Sequence, residues 1–285
     1  MHVKRILKHA AASAGQLLPR ENQATRRVVL CYHSVHPKKP ILSTTPEVFD
    51  RHLQWLTENC HVISVPELMS GTAARHGKTR VAITFDDGYE DNHSYALPLL
   101  VKYGTPATFF VTAGLLERDA AVFARFQHLL GCGAEEIVPL DWSQVRELRA
   151  CGMDVGSHTY SHPNLRRLSP PQVEDELRRS RDIIGSRIAS AVDLFAYPFG
   201  KPRVHFTSVT TDLVRHTSYR AAAAVTFRGV TASDSMFSIP RFFTDGDTVA
   251  KLEAKIRGDY DLIGWWQEHV PVSVLKVVSP LDFER

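Results

Sequence analysis

A chain of 285 residues can bury one barrel-sized core or two small ones. Its apolar fraction of 44% and charged fraction of 23% are those of an ordinary globular protein. A net charge of +3 without a basic stripe argues against nucleic acid, and no run reaches the about 18 apolar residues of a membrane-spanning helix.

Residues 1–26 stand apart from the rest. Lys4, Arg5, Lys8 and His9 interleave with Val3, Ile6, Leu7 and Ala10 at helical spacing, which reads as a basic amphipathic helix. Its apolar face either packs on the domain or makes peripheral contact with an anionic membrane. The stretch from Ala10 to Leu18 is a weak apolar centre for a secretory signal, and no small-residue cleavage site is evident. A cytoplasmic or membrane-associated location is therefore expected.

Residues 27–285 read as one domain. Residues 27–33 form a buried-strand pattern ending in His33. Thr45-Pro46 opens a helix to Cys60, since Thr caps well and Pro suits the first helical position. Strands are expected at 61–65 and 81–85, a helix at 92–103 ended by Gly104, and a strand at 106–112. Residues 113–140 carry helical pieces around 122–130 and are expected to form a peripheral excursion. A capped helix at 141–150 leads to a strand running into His158. Ser169-Pro170-Pro171 starts a long helix to Ile188, and the strand at 192–197 is stopped by Pro198. A helix at 209–216, a strand at 219–225, a pairing element at 237–241, a helix at 248–257 and a helical tail with Trp265 and Trp266 complete the chain. Cys31, Cys60, Cys132 and Cys151 show no C-x-x-C spacing and read as reduced thiols.

Strands alternating with helices imply a mainly parallel sheet. His33, Asp86, Asp87, Thr112, His158, Tyr197 and Arg241 each follow an apolar run. In a parallel barrel those strand ends share the face where active sites form.

Two stretches carry chemistry. Val81-Ala-Ile-Thr-Phe85 runs into Asp86 and Asp87, then Gly88. Adjacent carboxylates at the mouth of a buried strand repel each other and resist desolvation unless a cation sits beside them. Gly156-Ser-His-Thr-Tyr-Ser-His162 places His158 and His162 four apart, on one side of the chain if the segment turns helically. One Asp and two His give three ligands and leave a position open, the pattern of a catalytic site. Zinc, cobalt, nickel and iron all suit such N/O donors.

Thr84-Phe-Asp-Asp-Gly88 and His158-Thr-Tyr-Ser-His162 resemble the first two motifs of the polysaccharide deacetylase family, also called NodB-homology or carbohydrate esterase family 4. Phe195-Ala-Tyr-Pro-Phe-Gly200 is similar to the third. The likeness spans roughly residues 28–247, and Tyr32-His33-Ser-Val35 is similar to the poly-N-acetylglucosamine deacetylase-like subgroup. The resemblance implies a distorted (β/α)7 barrel, an N-acetylated glycan substrate and one divalent metal ion, zinc foremost. It assigns Asp87, His158 and His162 as ligands and Asp86 as base. The amide of Phe199 becomes an oxyanion donor, because Pro198 has none, and Tyr197 is placed at the substrate.

Two departures matter. Ala196 stands where the larger family often has an Arg holding the base, and no Leu-x-x-His appears after Thr226. Arg241 is the candidate replacement for that Arg, the alternative being an ordinary sheet-edge arginine. His33 is the candidate acid, the alternative being a histidine that positions a neighbour. Asp91 and Asn92 are expected to cap the following helix and brace the metal loop. The activity expected is N-deacetylation; an O-acetyl esterase, or a deformylase on a lipid-linked or nucleotide sugar, is the alternative.

Overall fold

The structure is a computed structural model and describes residues 26–38, 42–70, 77–131, 133 and 137–274. The amphipathic segment expected at 1–26 lies outside the described residues except for Arg26, as do Cys132 and the end of the tail. No helix among the described residues is long and apolar enough to cross a membrane. Cys31, Cys60 and Cys151 are free thiols.

Eight strands make one sheet among the described residues. Seven form a path: β1 (Arg27–Tyr32), β2 (Arg80–Phe85), β3 (Thr108–Val111), β4 (Asp154–Ser157), β5 (Leu194–Ala196), β6 (Ala221–Ala223) and β7 (Phe242–Phe243). Their spatial order is β7-β1-β2-β3-β4-β5-β6, and every ladder is parallel. The eighth, His61–Val62, pairs only with the start of β2. The two ends of the path meet through one segment. Ile239 bridges Ala223 in parallel, and Phe242–Phe243 pairs with Leu30 and Cys31. Residues 239–243 thereby join the outer strands and curl the sheet into the expected distorted (β/α)7 barrel.

Local chemistry explains most of the elements. Thr45 accepts from the Val48 amide at the start of Pro46–Asn59. Asp141 with Gln144, and Ser169 with Gln172, form capping boxes for Trp142–Ala150 and Pro170–Ile188. Three expectations need correction. The strand at 61–65 stops at Val62, because Ser64 accepts from the Glu67 amide and caps a short helix, Val65–Met69. The element expected at 237–241 pairs only through Ile239, and the ladder to β1 lies beyond it at Phe242–Phe243, since Pro240 has no N–H for a ladder. The helix at 92–103 opens as a π-turn, Asn92–Ala96, before Leu97–Lys102. Pro98 offers no N–H to the carbonyl four residues back, and the wider turn absorbs that loss.

Strand alternation then positions the site. Val28, Leu30 and Tyr32 of β1 pack in the larger core with Phe49, Leu53 and Leu56. Val29 faces the other way, into a smaller cluster with Ala82, Phe110, Ala196, Ala223 and Ile239. Period two puts Cys31 and His33 on the side of Val29, and Thr84 and Asp86 on the side of Ala82. The register pairs Cys31 with Thr84, and the Asp86 amide donates to Tyr32 O at 2.9 Å. His33 and Asp86 therefore emerge side by side at the same end of the barrel.

Candidate active site

β2 delivers Asp86 and Asp87 into a sharp turn. Asp87 has φ 73° and Gly88 φ 86°. A Cβ on Gly88 would lie 3.1 Å from Val111 Cγ1, so both the space and the backbone call for glycine. The turn is pinned by the Thr112 amide, which donates to Asp87 O at 3.2 Å, and by the Leu140 amide, which donates to Gly88 O at 2.9 Å.

Asp87 Oδ1 lies 3.6 Å from His158 Nε2 and 3.5 Å from His162 Nε2. It is buried and has no hydrogen-bond partner among the described residues. His158 Nδ1 lies 2.8 Å from Ala196 O, which assigns its proton to Nδ1 and leaves the Nε2 lone pair toward Asp87. Burial lowers both histidines against the pull of the nearby carboxylates, His162 to about 3, so both imidazoles are neutral. A carboxylate oxygen and neutral imidazole nitrogens within 4.8 Å of one another repel unless a cation lies between them. The donor set therefore fits one divalent ion, and its N/O composition suits zinc, cobalt, nickel or iron.

The segment carrying the histidines is not helical, which corrects the expected geometry. Thr159 (φ 67°) and His162 (φ 54°) are left-handed, and the rings meet edge to face with centroids 4.9 Å apart. Glu176, on the helix Pro170–Ile188, holds this loop. It accepts from the amides of Tyr160 and Ser161, both at 2.9 Å, and from Ser161 Oγ at 2.5 Å. Nothing in the local sequence marks Glu176 for that task.

Asp86 is gripped from behind. Arg241 Nη1 and Nη2 donate to its two oxygens, each at 2.8 Å, and Nη1 also donates to Thr84 Oγ1 at 2.9 Å. Arg241 Nε donates to Ala224 O at 3.2 Å, and the guanidinium lies 5.4 Å from the centroid of the Phe110 ring. The alanines of the interior leave the room it fills. Burial alone would raise the Asp86 carboxyl. Arg241 outweighs that and, with His33, holds it well below the usual carboxylate range. The Cys31 thiol, raised by its own burial, stays protonated and donates to Asp86 Oδ2 at 3.4 Å.

His33 is paired with a residue that sequence reasoning missed. Its Nδ1 lies 2.7 Å from Asp245 Oδ2, and its amide donates to Asp245 Oδ1 at 3.0 Å. Burial would lower the imidazole. The Asp245 carboxylate overrides it and, with Asp87 and Asp86, lifts His33 to about 9. A His33 nitrogen, a carboxylate oxygen of Asp86 and Cys31 Sγ lie within 4.8 Å of one another. Asp91 does not cap the helix after it. It accepts from Ser34 Oγ at 2.6 Å and from the Val35 amide at 3.1 Å, while Asn92 Nδ2 donates to His33 O at 2.8 Å. These side chains fix the segment that presents His33, which is where the short chain connection after β1 leaves polar backbone to satisfy.

The third motif splits in two. Phe199 is left-handed at φ 60°, and its amide has no acceptor among the described residues. Its ring lies 4.7 Å from that of His162. Tyr197, expected at the substrate, is turned away. Its ring stacks on Phe206 at 3.7 Å, and its hydroxyl donates to Phe237 O at 2.9 Å. Alternation at the end of β5 sends Tyr197 to the face opposite Ala196.

A cavity of about 270 Å³ opens over these groups, lined by His33, Asp86, Asp87, His158, His162 and Phe199. Phe126, Leu129 and Leu130 form one wall. They belong to the helix Ala120–Leu130, so the stretch expected to be peripheral borders the site. Lys201 and His205 supply further polar lining.

A parallel barrel with an acidic pair and two histidines at its strand ends has the layout of a hydrolase site, and comparison with known proteins agrees. The family model described as polysaccharide deacetylase matches residues 73–222. This chain belongs to the polysaccharide deacetylase family. YxkH of Bacillus subtilis (strain 168), whose name assigns it to the polysaccharide deacetylases, is 26% identical over 216 residues, covering 75% of this chain and 69% of that protein. The Streptococcus pyogenes deacetylase PplD, solved in complex with acetate, superimposes with a TM-score of 0.68 at 23% identity, covering 81% of this chain and 98% of that one. IcaB from Ammonifex degensii gives 0.66 at 24% identity, covering 83% and 99%. At such identities the superpositions establish a shared fold.

Proposed function

We propose that this chain is a metal-dependent N-deacetylase acting on an N-acetylated sugar polymer or oligomer. The observation that carries the reading is the buried Asp87 Oδ1, without a hydrogen-bond partner among the described residues and facing two imidazole nitrogens at 3.5 and 3.6 Å. Asp87, His158 and His162 would hold the ion, zinc foremost. Such an ion supplies Lewis-acid polarisation of an acyl carbonyl and acidifies water toward a pKa of about 7.

The other roles fall to the chain. Asp86, kept ionised by Arg241, takes the proton of the attacking water. The Phe199 amide donates to the developing oxyanion, and its left-handed backbone is what aims it. His33, kept protonated by Asp245, delivers a proton to the leaving nitrogen. An amide needs that proton, because an amine anion leaves very poorly. The lowered Asp86 carboxyl stays ionised, as a base must, and the raised His33 imidazole stays protonated, as an acid must, which supports this division of roles. A relative named as a polysaccharide deacetylase and a deacetylase holding acetate support an acetylated glycan as substrate.

The test is hydrolysis of N-acetylglucosamine oligomers by metal-loaded protein, with free amine and acetate measured together. Equal release of both is expected. Acetate without amine on acetylated glycans would make the chain an O-acetyl esterase, and formate release would make it a deformylase. No acyl release from any of these substrates would overturn the reading.

A further inference from the structure

Lys255 is an interior lysine that the chemistry above does not use. It lies on the helix Val249–Arg257, and its side chain is 2% exposed. Its Nζ donates to Phe243 O at 2.5 Å and also to Asp247 Oδ2, itself buried. Lys251 Nζ reaches the other Asp247 oxygen at 2.5 Å from its half-exposed position. An ammonium taken out of water is costly unless well paired, so one placed here must be doing something that an apolar side chain would not.

What it spans is a single turn. Phe243 and Asp247 are the two ends of the segment whose middle residue is Asp245, the carboxylate on His33. Lys255 therefore closes the turn from below, holding a carbonyl at one end and a carboxylate at the other. Further contacts brace the turn, and those of Thr244 tie it to β1. The Thr244 amide and hydroxyl donate to Cys31 O at 2.9 and 2.8 Å, the Asp247 amide donates to Thr244 O at 3.0 Å, and the Gly246 amide donates to Thr44 Oγ1 at 3.3 Å. Phe243 also lies against His33, with ring centroids 4.9 Å apart. Both the ring that flanks His33 and the carboxylate that orients it are thus carried by the turn that Lys255 clamps.

We infer that Lys255 and Asp247 are positioning residues for the proton donor: their buried pair fixes the Phe243–Asp247 turn so that Asp245 meets His33. The inference rests on the reading of His33 as the acid. It predicts that loosening the clamp slows the step that needs a proton on the leaving group and spares the step that does not.

The experiment uses full-length, metal-loaded protein. Lys255→Met leaves the buried Asp247 carboxylate with Lys251 as its remaining cation and threatens folding. The double variant Lys255→Met/Asp247→Asn removes both charges and is measured beside it, with His33→Ala as reference. In the double variant, kcat on an N-acetylated oligomer should fall about 10- to 100-fold with KM and metal content unchanged, the loss a misplaced catalytic group gives. The rate on an activated acetyl ester should stay close to wild type. By proton NMR of the folded variant, the His33 Nδ1 resonance, identified by its absence in His33→Ala, should shift or broaden. A double variant with wild-type resonance and amide rate, beside a His33→Ala enzyme that has lost amide cleavage, overturns the clamp alone. Amide and ester rates falling together would reduce Lys255 to a structural role and also overturn it. If His33→Ala leaves the amide-to-ester ratio unchanged, the acid reading itself fails and the clamp falls with it.

Discussion

Arg241 and Asp86 form a two-pronged ion pair, Nη1 to Oδ1 and Nη2 to Oδ2, both 2.8 Å, across 155 residues of chain. Neither side chain reaches solvent appreciably, at 0% and 4% exposure. The guanidinium enters from the segment that closes the barrel, while Ala196, at the third-motif position, leaves its carbonyl to His158.

Removing that guanidinium should cost both stability and the base. Arg241→Met leaves a buried carboxylate alone, a change that typically destabilises by about 3–5 kcal/mol. Burial then acts on Asp86 with less opposition, so its carboxyl rises and the acid limb of the rate profile moves to higher pH. The folded carboxyl of the wild type lies below its unfolded value of about 3.9, so the contribution of the pair is full above that pH and is lost as pH falls below it. Wild type and variant should therefore converge in stability in acid. Thermal unfolding against pH, with Arg241→Met/Asp86→Asn regaining part of the loss, checks the pairing; an unmoved acid limb would speak against Asp86 as base.

Metal content separates the ligands from the base. His158→Ala should bind far less zinc while remaining folded, since it removes one of three convergent donors. Asp86→Asn should keep its zinc and lose about 10²–10⁴-fold in kcat. Elemental analysis of the two purified variants decides it, and full occupancy in His158→Ala would remove that residue from the ligand set.

The four residues at the centre were legible because each motif is contiguous. Asp86 and Asp87 end a strand whose burial pattern is local, and His158 and His162 follow the next such strand but one. The distant partners were not legible. Asp245 sits 212 residues from His33 in a turn that reads only as a turn, and Glu176 looks like one more acid on a polar helix face. Tyr197 shows the reverse error: it lies inside a motif, yet strand alternation hands its side chain to the core. The wall of Phe126, Leu129 and Leu130 went unnoticed because an amphipathic helix does not reveal what its apolar face meets.

Gly200 should tolerate no side chain. It has φ +67°, and a Cβ there would lie 2.9 Å from Val225 N and 2.6 Å from Val225 Cγ2. The Val225 amide already donates to Gly200 O at 2.7 Å, so the two backbones have no room to part. A non-glycine residue in this conformation costs about 1–2 kcal/mol before any clash. Gly200→Ala is expected to lower the melting temperature and to depress kcat more than KM, because the adjacent Phe199 amide shifts with it. An enzyme with unchanged kcat would show that the Phe199 amide does not contact the reacting oxygen.

The last prediction concerns His33 and its carboxylate. Burial pulls the imidazole down, and Asp245 more than reverses this, up to about 9. A group raised above its unfolded value of about 6.5 lends stability that is full below that pH and is lost as pH rises through about 9. In the proposed mechanism the same shift keeps on His33, at neutral pH, the proton that amide cleavage would need. Asp245→Asn removes the charge but keeps a side chain of the same shape. Burial is then less opposed, the imidazole gives up its proton at lower pH, and the alkaline limb of kcat/KM should move toward acid. An activated acetyl ester, whose alkoxide leaves without help, should show a much smaller loss at neutral pH. Because wild type and variant are compared at equal metal loading, the influence of the bound cation on His33 is common to both and the difference isolates Asp245. An alkaline limb that stays in place, or equal losses on amide and ester, would return His33 to a positioning role and require another proton donor for the leaving amine.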